Sequence, residues 1–350
     1  MKLKVALVAA GTLAVGSVGY LIAGPLNPPG GSVASTYKTL SEVEPRVAIN
    51  ATNAPGNGAN VFIISQPGSY YLPANVTVPS GKNGILVSAS RVTIDLNGFA
   101  VVGNTGSIEG ITLSGSPATV KVRNGSVATC GSNGVNLSTA VECDVEDISL
   151  YGNHGYGLWV GNNTHVLNCY ASNCTNAGFL SSGGVFFRDC TSYWNGVGFQ
   201  SQQSDHFERC AAQSNTGIGF NISVDTKVVD CQAVGNGSQG IVCANDNWIT
   251  GCQVHGNGGA SMAGIWVTGV YNHVEGNDVV NNGYGIYAGA ANNFIYRNKV
   301  GSSTQANFYV IAGNHVGTIG VAAANAALIN GNSGGGMGAL ESDPNANLVY

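Results

Sequence analysis

Between His165 and Val300 apolar and polar positions alternate in short runs, and the runs recur about every 21 residues. In Gly219-Phe220-Asn221-Ile222, Gly240-Ile241-Val242-Cys243 and Gly264-Ile265-Trp266-Val267 the apolar side chains fall on one face with a period of two, the period of a strand rather than a helix. A second apolar column (Val166, Phe187, Phe207, Val228, Ile249, Val274, Ile295) stands three residues before a recurring cysteine slot. A third (Ala171, Ser192, Ala212, Ala233, Val254, Val279, Val300) stands two residues after it. Each copy thus holds three short strands with one inward face apiece. The slot itself is Cys169, Cys190, Cys210, Cys231 and Cys252, spaced 21, 20, 21 and 21 residues apart, and is then filled by Asn277 and Asn298. A glycine beat running alongside reaches back to Gly134, Gly110 and Gly84, making roughly ten copies in all. Three inward strands per short repeat predict an all-β, single right-handed parallel β-helix of about ten rungs, each strand pairing with its equivalent one rung on. Rungs of that kind stack about 4.8 Å apart. Asn195, Asn215, Asn236, Asn257 and Asn282, five residues past the slot, predict a ladder of turn amides bonded along the stack.

The pattern sets the expected organisation. Residues 1–34 form an export signal or anchor, 35–78 an N-terminal cap, 79–312 the β-helix, and 313–350 a Gly/Ala/Asn-rich tail. Met1-Lys2-Leu3-Lys4 followed by an uncharged apolar run to Ala23 is the pattern of an export leader. The run is either cleaved, with Ser32-Val33-Ala34 as one exit, or kept as an anchor, since it is long enough to span a bilayer. In both cases the β-helix lies outside the cytoplasm: extracellular, on the cell surface or periplasmic. Thr39 and Glu42 form a capping-box pattern that predicts a short helix ended by Pro45. Val61-Phe62-Ile63-Ile64 and Gly68-Ser69-Tyr70-Tyr71-Leu72 read as strands that cap the first rung.

Composition narrows the function. Charged residues are 9% of the chain, 13 basic against 18 acidic, with net charge −5. Nothing there marks a nucleic-acid binder, which would show a basic face. Nine cysteines in an exported chain raise the question of disulfides. Equivalent slots on adjacent rungs hold β-carbons farther apart than the ~3.8 Å a disulfide prefers, which predicts a buried column of free thiols instead. A straight column also lacks the converging tetrahedral ligands zinc requires, and three methionines without a His/Met cluster do not make a copper site, so no metal or cofactor is expected.

Gln66-Pro67-Gly68-Ser69-Tyr70-Tyr71-Leu72, Gly81-Lys82-Asn83-Gly84-Ile85 and Val92-Thr93-Ile94-Asp95-Leu96-Asn97-Gly98-Phe99 resemble the opening of secreted right-handed β-helix repeat proteins of the pectin-lyase-like superfamily. The resemblance extends to exported proteins of planctomycete-type bacteria, and Thr36 to Arg46 fits the same group. It implies the fold over nearly the whole chain. It leaves the activity open, because the superfamily spans lyases, hydrolases, epimerases, tailspikes and non-catalytic surface proteins, and no enzymatic motif carries over residue by residue.

Two sets of outward residues are candidates for function. Asp189 and Asp230, about 10 Å apart on alternate rungs, would flank a glycosidic bond as an acid/base pair, with Arg209 between them holding an anionic sugar. Inverting hydrolases want carboxyl groups roughly 6.5–9.5 Å apart. Alternating signs along a sheet edge also serve stability alone. Asp205-His206 and Glu142, Asp144, Glu146 and Asp147 are weaker candidates. The second set is a ligand-binding column on the first strand, Trp159, Gln200, Asn221, Trp266 and Tyr287, in which rings and amides suit the faces and hydroxyls of sugars. Trp266 and Tyr287 are expected side by side at the rung spacing. A parallel column holds His165, His206, Lys227, Trp248 and His273. The expected partner is a polysaccharide or cell-surface glycan, bound or structurally engaged. The alternative is a lyase or hydrolase acting on an acidic glycan.

Overall fold

The structure, a computed structural model, describes residues 44–321, 329–330 and 344–350. The export segment, the Thr39–Glu42 capping pattern and the glycine-rich stretch 331–338 lie outside the described residues. The chain is a right-handed parallel β-helix. Among the described residues one face of each coil belongs to a 13-stranded sheet, and the other two faces run together into a 24-stranded sheet.

One coil shows how the sequence builds the fold. Phe220–Ile222 lies on the first face, Lys227–Val229 on the second and Gln232–Val234 on the third. Single left-handed residues turn the corners: Asp225 at φ 53°, Asp230 at φ 52° and Gly235 at φ 65°. One such residue between two strands bends the chain while leaving the inward alternation intact on both sides. Each strand then pairs in parallel with its equivalent on the next coil, as in Phe220 to Ile241, Ile265, Ile286 and Phe308.

The repeat extends further than its glycine beat. Among the described residues thirteen coils rather than about ten are present, because Asn60–Ile64 pairs in register with Asn83–Val87, and Gly68–Tyr71 with Val92–Asp95. These segments were expected to cap the stack, and they form one of its coils. At the other end Ala306–Val310 continues the first face, and Asn347–Val349 pairs with both Lys299–Gly301 and Ile319–Val321.

The interior of the middle coils is a column of phenylalanines. Phe179, Phe199 and Phe220 stack at 4.9 and 4.8 Å with nearly parallel rings, and Phe187 and Phe207 stack beside them at 4.8 Å. The two stacks meet edge to face, for example Phe199 against Phe207 at 5.5 Å. Removing the central Phe199 ring would open a cavity costing about 3–5 kcal/mol.

The glycine beat follows from crowding at the corner that precedes the first face. A β-carbon at Gly240 would lie 2.5 Å from Val254 Cγ1, 2.7 Å from the Gly264 carbonyl and 2.8 Å from Asn257 Nδ2. No larger residue fits beside the amide ladder.

Candidate functional site

Three buried columns occupy the three corners, and they explain most of the polar repeat. At the corner between third and first faces Asn195, Asn215, Asn236, Asn257 and Asn282 form the predicted ladder. Each backbone N–H donates to the Oδ1 of the next amide, at 3.0 Å from Asn195 to Asn215 and 2.9 Å from Asn257 to Asn282. Each Nδ2 donates back to a carbonyl of the preceding coil, as Asn236 does to Ala212 at 3.0 Å. A second ladder, Asn247, Asn272, Asn293 and Asn314, stands between first and second faces.

The third corner carries the cysteine column, Cys169, Cys190, Cys210, Cys231 and Cys252. Cys190 Sγ donates to Val166 O and Cys252 Sγ to Val228 O, both at 3.4 Å. Asn277 and Asn298, continuing the slot, make the same link to Ile249 and Val274 through Nδ2 at 2.9 and 2.8 Å. The thiols therefore stand in for ladder amides. All nine cysteines are buried and unpaired. Burial pushes the thiols of Cys210 and Cys252 up, and that of Cys174 to about 11.

The second ladder, between first and second faces, has one discordant member. Asp205 occupies the slot below Thr226 and Asn247 and is 2% exposed. Its Oδ1 accepts from Val185 N at 2.7 Å and from Ser181 Oγ at 2.8 Å, while Oδ2 is buried without a hydrogen-bond partner. Burial holds this carboxyl above its usual range, against the pull of its hydrogen bonds.

The acid/base candidates lie elsewhere. Asp189, Arg209 and Asp230 occupy successive left-handed corner positions between second and third faces, at φ 55°, 50° and 52°. Arg209 grips Asp189 with two bonds, Nε to Oδ1 at 2.8 Å and Nη2 to Oδ2 at 3.0 Å, and also pairs with Glu208. The Arg209 guanidinium holds the Asp189 carboxyl below the usual range. Asp230 is not drawn into this pair, and its Oδ1 lies over Gly251, where a β-carbon would come within 2.2 Å of it. The three side chains project from an outer corner, and none is buried. Of the weaker candidates, Asp144 pairs with Lys121 and lies 3.3 Å from His165 Nδ1.

The ligand-binding candidates share one column. The registers run Asn136, Trp159, Leu180, Gln200, Asn221, Val242, Trp266, Tyr287 and Tyr309 along the outside of the first face. Apart from buried Leu180 these side chains are half-buried. Trp266 and Tyr287 are neighbours, but they meet edge to face at 6.2 Å and 85° rather than as the parallel strip expected from rung spacing. The parallel pair is Tyr287 and Tyr309, 4.4 Å apart, with Tyr284 edge-on to both. Since Tyr287 and Tyr309 stack from coil to coil, their rings lie across the axis, and the ring plane of Trp266 runs along it. Trp159 donates from Nε1 to Ser182 Oγ at 3.2 Å and packs edge-on to Tyr156.

Tyr309 and Tyr284 belong to this cluster; Tyr309 was missed because the period changes after Val300, and Tyr284 because its slot holds alanine, Ala263 and Ala306, on the adjacent coils. The signal was present in Phe308, which aligns with Ile286 and so places Tyr309 beside Tyr287. The parallel column on the second face is longer than its polar members imply, since Phe186, Phe294 and His315 occupy the same slot. Trp248, His273, Phe294 and His315 stack face to face at 4.2, 4.7 and 4.8 Å. Their faces are spent on one another, leaving edges to solvent, which suits cross-strand stabilisation.

Comparison with known proteins agrees with this architecture. Residues 133–263 match the family described as the right handed beta helix region. The fold is similar to the A-module of a mannuronan C-5 epimerase from Azotobacter vinelandii, at 14% identity and TM-score 0.56, covering 87% of this chain and 86% of that one. It is also similar to a periplasmic alginate epimerase, at 11% identity and TM-score 0.55, covering 86% and 80%. No curated protein matches the sequence at a significant level.

Proposed function

The chain being a right-handed parallel β-helix of the pectin-lyase-like kind, we propose that it is an exported protein that binds polysaccharide, or holds a glycan at the cell surface, along its first face. One observation carries this reading. The thirteen strands of that face contain no Asp, Glu, Lys, Arg or His, yet present Trp159, Trp266, Tyr287 and Tyr309 outward among amides and hydroxyls. Aromatic faces take the apolar side of a pyranose, and the amides of Gln200 and Asn221 take hydroxyls, while that of Asn136 is held by Glu109 and the Ser138 N–H. The absence of charge on the strands favours a neutral glycan: a polyanion would find no cation on them, and the carboxylate beside them, Glu109, is already bonded to Asn133 and Asn136 at 2.7 Å.

The alternative reading is an enzyme acting on an acidic glycan. It rests on Arg209 as a cation between Asp189 and Asp230, and it requires Arg209 to leave its bidentate pair. A panel of neutral and acidic polysaccharides, scored for retention and for release of cleaved or unsaturated product, separates the readings. Retention of a neutral polymer without product supports binding. Product from an acidic polymer, lost in Asp189→Asn and Asp230→Asn, would replace it.

A further inference from the structure

Three of the remaining exposed rings cluster, while Tyr271 and Tyr350 stand apart. Tyr151, Tyr170 and Trp194, exposed by 54%, 40% and 55%, stand on three successive coils of the third face. Tyr151, Ser172 and Tyr193 share one column, and Ser149, Tyr170 and Thr191 the next. Tyr193 lies nearly parallel to Trp194 at 5.0 Å and 14°.

Trp194 is the member that folding does not explain. It sits at φ 57° in a corner slot that other coils fill with Thr129, Gly152, Asn173, Ser214 and Gly235. Apart from Thr129 these are glycine or small polar residues, whereas a bulky side chain there is strained. More than half of its surface is open, so burial recovers little of that strain.

We propose that Tyr151, Tyr170, Tyr193 and Trp194 form a second glycan-stacking site on the third face, so that the protein holds two chains of neutral polysaccharide at once. The glycan class rests on the reading of the first face. The side chains between the rings fit it: Ser149, Thr191, Asn173 and Gln213 offer hydroxyls and amides. The charges at the opposite end of these strands are Asp147, which accepts from Asn168 Nδ2 at 2.6 Å, and Asp189 and Arg209, which satisfy each other. A protein partner would call for a continuous apolar patch of several hundred Å², and here polar residues separate the rings. Two sites on different faces would give avidity on a polymer without any added contact.

The test uses calorimetric titration of the full chain with cellohexaose, xylohexaose and mannohexaose. Two sites per chain are expected for whichever probe binds. W194N, which places a ladder-type residue at the strained corner, should halve the stoichiometry while leaving Tm unchanged or higher, and Y170A should weaken the same site. W266A combined with Y287A should remove the other site only. One site per chain, insensitive to both W194N and Y170A but lost with W266A/Y287A, overturns the second site and leaves the first face standing. A wild-type chain that binds none of the probes, while folded, overturns both.

Discussion

The backbone N–H of Cys252 donates to Asn277 Oδ1 at 2.9 Å, at the point where a column of thiols gives way to a column of amides. The slot therefore has one role with two chemistries, a donor that reaches a carbonyl of the coil before. Because a thiol is the weaker donor, Cys252→Asn should raise stability, by about 1 kcal/mol for one improved hydrogen bond. Asn277→Ala should cost about 1–3 kcal/mol, since it leaves the Cys252 N–H and the Ile249 carbonyl buried without partners. Chemical denaturation of the two variants checks both signs.

The native thiols should resist modification. All nine are buried and unpaired, and burial drives Cys130 and Cys143 to about 12 and 11, far from the thiolate that reagents attack. Titration with a thiol reagent should report nine reactive groups in denaturant and none in buffer. Disulfides between adjacent coils, seen by mass spectrometry, would contradict the column.

Asp205 should make stability depend on pH. The carboxyl is raised above its unfolded value of about 3.9, so its neutral form is favoured in the fold. Its contribution is full below that unfolded value and is lost as pH rises through the raised folded value. Ladder amides such as Asn247 and Asn272 place an Nδ2 donor against a carbonyl of the preceding coil, and Asp205 places an oxygen there. Asp205→Asn should therefore gain about 1–3 kcal/mol at neutral pH and flatten the pH dependence of Tm. A loss of stability at pH 7 would show that the ionised acid is accommodated.

The outer-corner carboxylates should matter little to the fold. Asp189 and Arg209 are each about half exposed, and exposed ion pairs contribute about 0–1 kcal/mol. Asp189→Asn should shift the denaturation midpoint by no more than that, and by less still at high salt.

How much of this was legible in the sequence depends on what each residue answers to. Phe220, Ile241 and Ile265 answer to the strand period, so their inward direction could be read directly, as could the Asn195–Asn282 ladder. Coils beyond the glycine beat were harder: at Asn60–Ile64 no glycine marks the repeat, and the pairing with Asn83–Val87 shows only in the register. The alternation placed Trp266 and Tyr287 outside, but it could not set their torsions, so the edge-to-face geometry and the Tyr287–Tyr309 stack emerged only from packing. Asp205 stood beside His206 only as a weaker outward candidate, because its burial depends on the coils above and below.

The central claim is that the uncharged first face takes glycan through Trp266 and its neighbours. Affinity electrophoresis of the wild type and of W266A/Y287A through gels containing a neutral polysaccharide, with alginate gels in parallel, tests it most directly. The wild type should be retarded by the neutral polymer and not by alginate, and the double variant should run free in both while still folded, at a cost of about 1–3 kcal/mol for the lost ring contacts. Retardation by alginate alone, or equal retardation of an intact double variant in the neutral gel, would contradict the account.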